Sequence, residues 1–517
     1  MISYKVIKYL KNKIYLEYLI IFFTGSLSGL SFGGFSVFIC VPIMFFSLGV
    51  FLLLLFYSKK KNNYLYFFST GSLFSFGQLL VGLYWISFSF DFVFSNGIYL
   101  GIISIILLTI ALSLFYGFFC IIISYFHEIW QLNLYGFSII FSIFLSLSEY
   151  LRGNILTGFP WNIIGYIWTD SDIMMQSISI IGIYGLGLLT FLAAASIALI
   201  FHNILFSFYA ILPILLFALY GEIRLNMQDN DLEKFLQIRI VQPSITQDLK
   251  WDEKLRHEHL KKLISLSVKE NDNPRPSLIL WPESSIPFNS SFLEKKLEII
   301  NWLEEGQILI AGITRTEFQN NELKNIYNSA IITDKYFNNT YYNKIKLVPF
   351  GEFIPLNNFL NFNKITNGTL DFSHGKNSNI IVPFNMKYKI GILICYEIIF
   401  PGNVIHGERP DILVNITNDA WYGDTYGPLQ HLSAARARAI EEGVPVLRSA
   451  NTGISAVINE YGQYLKRLEL GKEGILDINL PLKKKRTVFS ILGNYLYLIS
   501  LIFMLMLTRF IFINKKF

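Results

Sequence analysis

Lys389-Ile390-Gly391-Ile392-Leu393-Ile394-Cys395-Tyr396-Glu397-Ile398-Ile399-Phe400-Pro401 is an isoleucine-rich run of strand length that delivers a cysteine to its end before Pro401 stops the element. A thiol carried out of a sheet in this way is placed as a nucleophile would be, although a free cysteine is also an ordinary core residue. Two further stretches shift the reading toward chemistry. Ser277-Leu278-Ile279-Leu280-Trp281-Pro282-Glu283 is a second apolar strand ending on a carboxylate, with Pro282 blocking further ladder pairing. Tyr342-Asn343-Lys344-Ile345-Lys346-Leu347-Val348-Pro349-Phe350-Gly351-Glu352 supplies an ammonium and another carboxylate beside a turn. Cys, Lys and Glu are thus all placed to converge on one rim of a sheet.

Outward from these stretches, composition divides the chain. Hydrophobic residues make up 53% of its 517 positions and charged residues 15%, with a mean hydropathy of +0.44, so much of it belongs in a bilayer. The part up to about Tyr220 is nearly free of acids and bases, whereas Glu222 to Leu482 reads as a soluble domain. The net charge of +6 is not a nucleic-acid signal, because the lysines cluster at the N-terminus, at Lys59 to Lys61 and near the C-terminus, where they mark membrane edges. Of the three cysteines, Cys40 and Cys120 fall in apolar stretches. Cys395 is therefore the lone thiol of the soluble part, which excludes a disulfide or a Cys-rich metal site there.

Apolar runs long enough to cross a bilayer lie at about 15–33, 35–57, 65–88, 97–125, 134–151, 174–201, 203–220 and 488–513, giving about eight spans. The lysine-rich N-terminus reads as a retained anchor, since further spans follow and no small-residue cleavage pattern does. Gly25, Gly29, Gly33 and Gly34 blur the border of the first two runs. Between the fifth and sixth, Leu151–Asn162 contains glycine and proline that forbid a plain helix; Glu149 and Arg152, one turn apart, are expected to neutralise one another. Trp161, Tyr166 and Trp168 suit an interface. In the soluble part, strands are expected at Gln237–Gln242, Ser277–Trp281, Ile308–Gly312, Ser329–Thr333, Ile390–Cys395, Asp411–Thr417, Pro445–Ser449 and Ile454–Asn459. Helices are expected at Asp252–Glu270, Ser291–Gly306 and Gly427–Gly443. This alternation argues for a layered α/β domain, and the organisation expected is 1–221 membrane region, 222–487 catalytic domain and 488–517 final span with its end.

The Glu-Lys-Cys order of the three stretches resembles the signature of the nitrilase, or carbon-nitrogen hydrolase, superfamily. Within it WPESSIP, YNKIKLVPFGEFIP, ICYEIIFP and the membrane segment LTGFPW resemble the apolipoprotein N-acyltransferase family. The resemblance implies a polytopic α-helical membrane bundle fused to a nitrilase-like αββα sandwich. It implies Glu283 as base, Lys344 rather than Lys346 as the cation that stabilises the oxyanion, and Cys395 as nucleophile, with the Tyr396 N–H completing the oxyanion hole. Trp251, Asn328, Glu352, Tyr396 and Glu397 match further functional positions of that family. On physical grounds Glu352 or Glu397 is placed to hold Lys344 charged, Asn328 to fix a loop or Glu283, and Trp251 equally to pack or to touch substrate. Asn418–Gly423 also matches, though a turn closing the site accounts for it.

The implied reaction passes an acyl chain, by family analogy sn-1 of phosphatidylethanolamine, through a Cys395 thioester to the α-amine of a diacylglyceryl-cysteine apolipoprotein. Donor, acceptor and bilayer are the partners implied, with no cofactor and no metal. The positive clusters place the soluble part outside, which in the Gram-negative cell the family implies is the periplasmic face of the inner membrane; Lys483–Arg486 runs against that bias and is read as a lipid-headgroup contact. Phe353–Phe372, with Leu356, Phe359, Leu360 and Phe362, reads as an apolar lid for acyl chains. Rival arrangements fare poorly: no His lies in a papain-like partner motif, His257-Glu258-His259 has the wrong spacing for a zinc helix, and Ser284-Ser285 lacks flanking glycines. The alternatives are a membrane-anchored nitrilase-type amidase for a small molecule and a transport protein with a binding domain.

Overall fold

The computed structural model describes residues 14–58, 63–92, 94, 96–200, 202–227, 235–270, 275–290, 300–320, 322–355, 371–376, 378–384, 386–482 and 486–513. Residues 356–370 of the expected lid, the first part of the expected Ser291–Gly306 helix and the lysines at 5–13, 59–61 and 483–485 lie outside them; the described end of the second stretch, 300–306, forms turns instead of helix. The chain forms two compact units, Met1–Ser87 with Tyr99–Gln228 and Thr487–Phe517, and Phe88–Ile98 with Asp229–Arg486. The short segment after Ser87 belongs with the second unit, where Ser89 donates a 2.8 Å hydrogen bond to the Trp421 carbonyl.

Six described helices of the first unit are long and apolar enough to cross a membrane, at Tyr15–Phe32, Val37–Phe56, Gly97–Trp130, Leu134–Asn154, Ile178–Leu199 and Ile204–Asn226. Tyr64–Gly82 with Tyr84–Phe90, bent by 55°, makes up to seven. Asparagine side chains start several of them: Asn63 accepts from the Tyr66 N–H at 3.0 Å and Asn133 from that of Gly136 at 3.0 Å. Gly25 and Gly29 sit inside the first helix. A Cβ on Gly29 would stand 2.5 Å from the Gln78 carbonyl oxygen and one on Gly77 2.6 Å from that of Phe22, so these glycines let two helices touch backbone to backbone. The eighth run is broken at Gly493 (φ 54°) into Val488–Leu492 and Tyr495–Ile513. Exposed Phe38, Leu107, Ile502 and Phe503 give this unit the apolar exterior that lipid requires.

The Arg152 charge acts on the Glu149 carboxylate, but the hydrogen bonds of the two go elsewhere. Glu149 accepts the Ile164 N–H at 3.0 Å and the Tyr116 hydroxyl at 3.1 Å. Arg152 donates to the carbonyls of Phe159 and Trp161 at 2.9 and 2.8 Å. Both therefore brace the irregular segment between Asn154 and Trp168. Trp161 and Trp168 are buried inside the unit rather than exposed as an interfacial belt, Trp168 donating to Thr190 at 2.9 Å.

The second unit holds two six-stranded sheets. The first is built from β1 (Phe235–Gln242), β2 (Leu278–Leu280), β3 (Ile308–Gln319), β4 (Glu322–Asp334), β5 (Asn339–Asn343) and β12 (Gly474–Pro481), ordered β12-β1-β2-β3-β4-β5. The second comprises β6 (Ile380–Ile381), β7 (Ile390–Ile394), β8 (Ile412–Thr417), β9 (Val446–Ala450), β10 (Ser455–Ile458) and β11 (Tyr464–Leu468), ordered β11-β10-β9-β8-β7-β6. β1 to β3 are parallel, as are β7 to β9.

Side-chain alternation explains the layering. Leu278 and Leu280 join Ile308, Ile310, Ile392, Ile394, Val414 and Ile416 in a core between the sheets. Ile279 and Trp281 turn the other way, onto Leu260, Leu263 and Leu266 of the helix Arg256–Val268. With the helix Gly427–Glu442, whose Ala434, Ala435, Ala437 and Ala439 are buried, on the far side of the second sheet, the order is helix, sheet, sheet, helix. The expected αββα sandwich is the observed one.

Candidate active site

The carboxyl ends of the parallel strands carry the polar residues. β2 stops at Leu280, and Trp281 is clamped by a 2.8 Å bond from its indole N–H to Ser267 Oγ, which fixes where the chain leaves the sheet. Gly312 of β3 lets the next turn come close: a Cβ there would stand 2.5 Å from Glu283 Cα. The Glu283 carboxylate accepts the Asn418 N–H at 2.8 Å on Oε2 and Asn328 Nδ2 at 2.8 Å on Oε1. Lys344 Nζ lies 3.7 Å from Oε1.

Lys344 follows β5 directly and is 1% exposed. Its ammonium sits 3.0 and 2.9 Å from the two oxygens of Glu352. Glu352 in turn accepts the Val348 N–H at 2.8 Å and Asn328 Nδ2 at 2.7 Å, so one amide group bridges both carboxylates. Burial alone pulls the Lys344 pKa down, but Glu352, then Glu283 and Cys395, outweigh it and raise it above the usual value. The lysine is thus locked in its charged form.

Cys395 is the first residue after β7 and has a φ of +50°, in the left-handed region. A non-glycine residue there is strained and must be held by its surroundings. Burial pushes its thiol up to about 12, with Glu283 adding to the shift and Lys344 opposing it. The resting sulfur is a protonated thiol that needs a base in order to attack.

Glu397 takes a role other than pairing with Lys344. Its carboxylate accepts from the Tyr342 hydroxyl at 2.8 Å and from the N–H groups of Ile345 (2.7 Å), Lys346 (3.1 Å) and Ile394 (2.8 Å). It ties the lysine-bearing loop to the strand that presents Cys395. Tyr396 is buried, with its ring edge on Phe400 at 5.1 Å. Trp251 is 46% exposed, and its neighbour Lys250 is the residue that reaches the cluster, donating to the Glu283 carbonyl at 3.0 Å. Burial lowers the Lys250 pKa to about 8. Lys346 Nζ lies 3.8 Å over the Phe400 ring, in surroundings unlike those of Lys344.

Several residues at this site were given no role of their own by the sequence. Lys250, Tyr342, Asn415, Asp419, His431 and Arg448 are all buried around it. The one available signal was the polar pair Asn418-Asp419 closing the apolar strand β8, as Glu283 closes β2.

The arrangement contains a nucleophile needing a base, a carboxylate held by two neutral donors, and a fixed cation beside it, which together suit acyl transfer. Residues 237–488 match the carbon-nitrogen hydrolase family, and residues 25–196 match the apolipoprotein N-acyltransferase N-terminal domain. Three curated relatives align over most of the chain, each called apolipoprotein N-acyltransferase. That of Rickettsia prowazekii is 34% identical, covering 93% of this chain and 96% of its own; that of Rickettsia typhi is 34% identical, covering 96% and 98%; that of Rhodopseudomonas palustris is 35% identical, covering 84% of each.

Proposed function

Since the chain belongs to the apolipoprotein N-acyltransferase family, we propose that it moves a fatty acyl chain from a phospholipid to the N-terminal α-amine of a diacylated apolipoprotein. The observation that carries this reading is the hydrogen-bonded cluster of Glu283, Lys344, Asn328 and Glu352, of which the Glu283 and Lys344 charges act on the Cys395 thiol. In this reading Cys395 Sγ attacks the sn-1 ester carbonyl, by family analogy of phosphatidylethanolamine, and its proton passes to Glu283. The Lys344 ammonium and the Tyr396 N–H stabilise the oxyanion. Collapse breaks the ester C–O bond, and the leaving lysophospholipid alkoxide takes the proton from Glu283. The acceptor amine then attacks the thioester, gives a proton to Glu283, and expels the Cys395 thiolate, which is reprotonated.

The charged state of Lys344 and the neutral resting thiol support these assignments. Glu352 holds the cation, and Asn328 aligns both carboxylates without adding charge. The chain is a multi-pass membrane protein, with both substrates lodged in the same bilayer; the face assigned to the α/β unit is the periplasmic one, on the lysine distribution. A small-molecule amidase would have no use for so many apolar helices. The test is a two-stage assay. Enzyme exposed to phosphatidylethanolamine and then freed of lipid should transfer one acyl group to a diacylglyceryl-cysteine peptide; transfer of none, with hydrolysis of simple amides instead, would favour the amidase.

A further inference from the structure

The carbonyl of Cys395 is held from beneath by a buried polar network that the reaction scheme leaves unused. His431 Nε2 lies 3.2 Å from that oxygen, and Asn415 Nδ2 lies 3.4 Å from it. His431 Nδ1 is 2.9 Å from Asp419 Oδ1 and 3.1 Å from Arg448 Nη2. Arg448 also bonds Asp419 at 2.5 Å and donates to Asn415 Oδ1, while the Thr417 hydroxyl donates to Asp419 at 2.9 Å. His431, Arg448, Asn415 and Thr417 are fully buried, out of reach of bulk solvent.

A carbonyl oxygen can only accept, so the proton on Nε2 is required whether the ring is neutral or charged. Burial, then the Arg448 charge, lower the His431 pKa, which favours a neutral ring; with its one proton on Nε2, Nδ1 accepts from Arg448, and Asp419 acts on the ring through Arg448 rather than by a hydrogen bond of its own. The Cys395–Tyr396 peptide is trans, so its C=O and N–H point in opposite directions from one rigid plane. Fixing the carbonyl fixes the direction of the Tyr396 N–H. A donor on the oxygen also polarises the peptide and strengthens the N–H at its other end.

We propose that His431, anchored by Arg448, which Asp419 in turn holds, is a positioning residue that aims the Tyr396 N–H at the oxyanion formed on Cys395. The proposal rests on Cys395 being the nucleophile. It separates two rates that a merely structural histidine would change together: acylation of Cys395 by an ester, which develops an oxyanion, and alkylation by iodoacetamide, which does not.

Full-length wild type, His431→Leu and His431→Gln in detergent are to be compared with phosphatidylethanolamine and iodoacetamide as probes, following Cys395 by intact mass. A direct oxyanion donor is worth about 100- to 1000-fold, so a group acting through the peptide is expected to give less. His431→Leu should slow acylation about 10- to 100-fold in kcat with little change in KM and leave alkylation within about threefold. His431→Gln, whose amide N–H reaches the Nε2 position, should recover most of the rate. Should the leucine variant fail to fold, His431→Asn replaces it, since its shorter amide stops near the Nδ1 position and is expected to acylate slowly beside Gln. Parallel loss of acylation and alkylation, or full acylation in the variant without a donor, overturns the proposal. Absence of any acyl group on Cys395 in the wild type overturns the nucleophile reading itself.

Discussion

Glu149 of the helical unit takes its bonds from a backbone N–H and a tyrosine, and Arg152 gives its own to two backbone carbonyls. Glu283, Glu352 and Lys344 of the α/β unit are instead arranged about one another, with one amide shared between the two carboxylates. A charge spent on backbone groups holds a loop in shape. Charges set against one another respond to any proton that moves among them. Burial of ionisable groups therefore has two meanings here, and the partners tell which applies. Glu397 shows that the distinction does not follow the unit: beside Cys395, it is bonded to three backbone N–H groups and a phenol, like Glu149.

If that contrast holds, replacements among the mutually bonded charges cost activity and those among the backbone-bonded ones cost stability. The largest effect is expected for Cys395→Ala and Cys395→Ser, which should fold and form no acyl-enzyme; normal turnover by the alanine variant would remove Cys395 from the reaction. Next comes Lys344→Met, expected to slow thioester formation by on the order of 1000-fold, while Lys346→Met, over the Phe400 ring, keeps most of it. Equal losses would erase the difference between the two lysines. Glu283→Gln should slow acylation of Cys395 at pH 7, because the thiol, pushed up to about 12, has no other base in this reading; the variant's thiol sits lower, since the Glu283 charge is one cause of the rise. The sign follows from the shift: a raised acid pKa leaves the neutral form dominant, so the deficit against wild type should shrink as pH rises toward that value. A deficit independent of pH would assign Glu283 a structural role.

Smaller effects test the other side. Glu397→Gln loses one carboxylate oxygen that accepts strong bonds and is expected to cost about 2–3 kcal/mol of stability, read as a lower midpoint of thermal unfolding. Glu149→Gln, which can still accept, should cost about 1 kcal/mol and leave acylation by a short-chain, water-soluble ester unchanged. Loss of that activity with unaltered stability would break the analogy between Glu149 and Glu397.

Much of this was legible because strands announce themselves. Ile390–Ile394 and Leu278–Leu280 are unbroken apolar runs buried on both faces, and the residue after such a run is the one a sheet presents. The eight expected strands are all present. Missed were β5, β6, β11 and β12, and the polar outer halves of β3 and β4. These lie at sheet edges or reach beyond the core, where one face is wet and no apolar run forms. The choice of Lys344 over Lys346 was closed to periodicity, because strand spacing puts residues two apart on one face. The segment after Asn343 leaves the strand, and the two ammonium groups then part. His431 was invisible for a different reason: it stands in no motif of its own, and the fold alone brings it to the Cys395 backbone carbonyl, Asp419 just beyond β8 and Arg448 of β9. Glu149 and Arg152 do act on one another by charge, but one-turn spacing gave no sign that their hydrogen bonds go to backbone groups of the next loop.

The measurement that bears most directly on the central claim is peptide-level mass spectrometry of the full-length enzyme after brief exposure to phosphatidylethanolamine, without acceptor. One fatty acyl group should be found on Cys395, released by hydroxylamine and absent from both Cys395→Ala and Lys344→Met. An acyl group on any other residue, or lipoprotein acylation proceeding at full rate while Cys395 never carries one, would contradict the account.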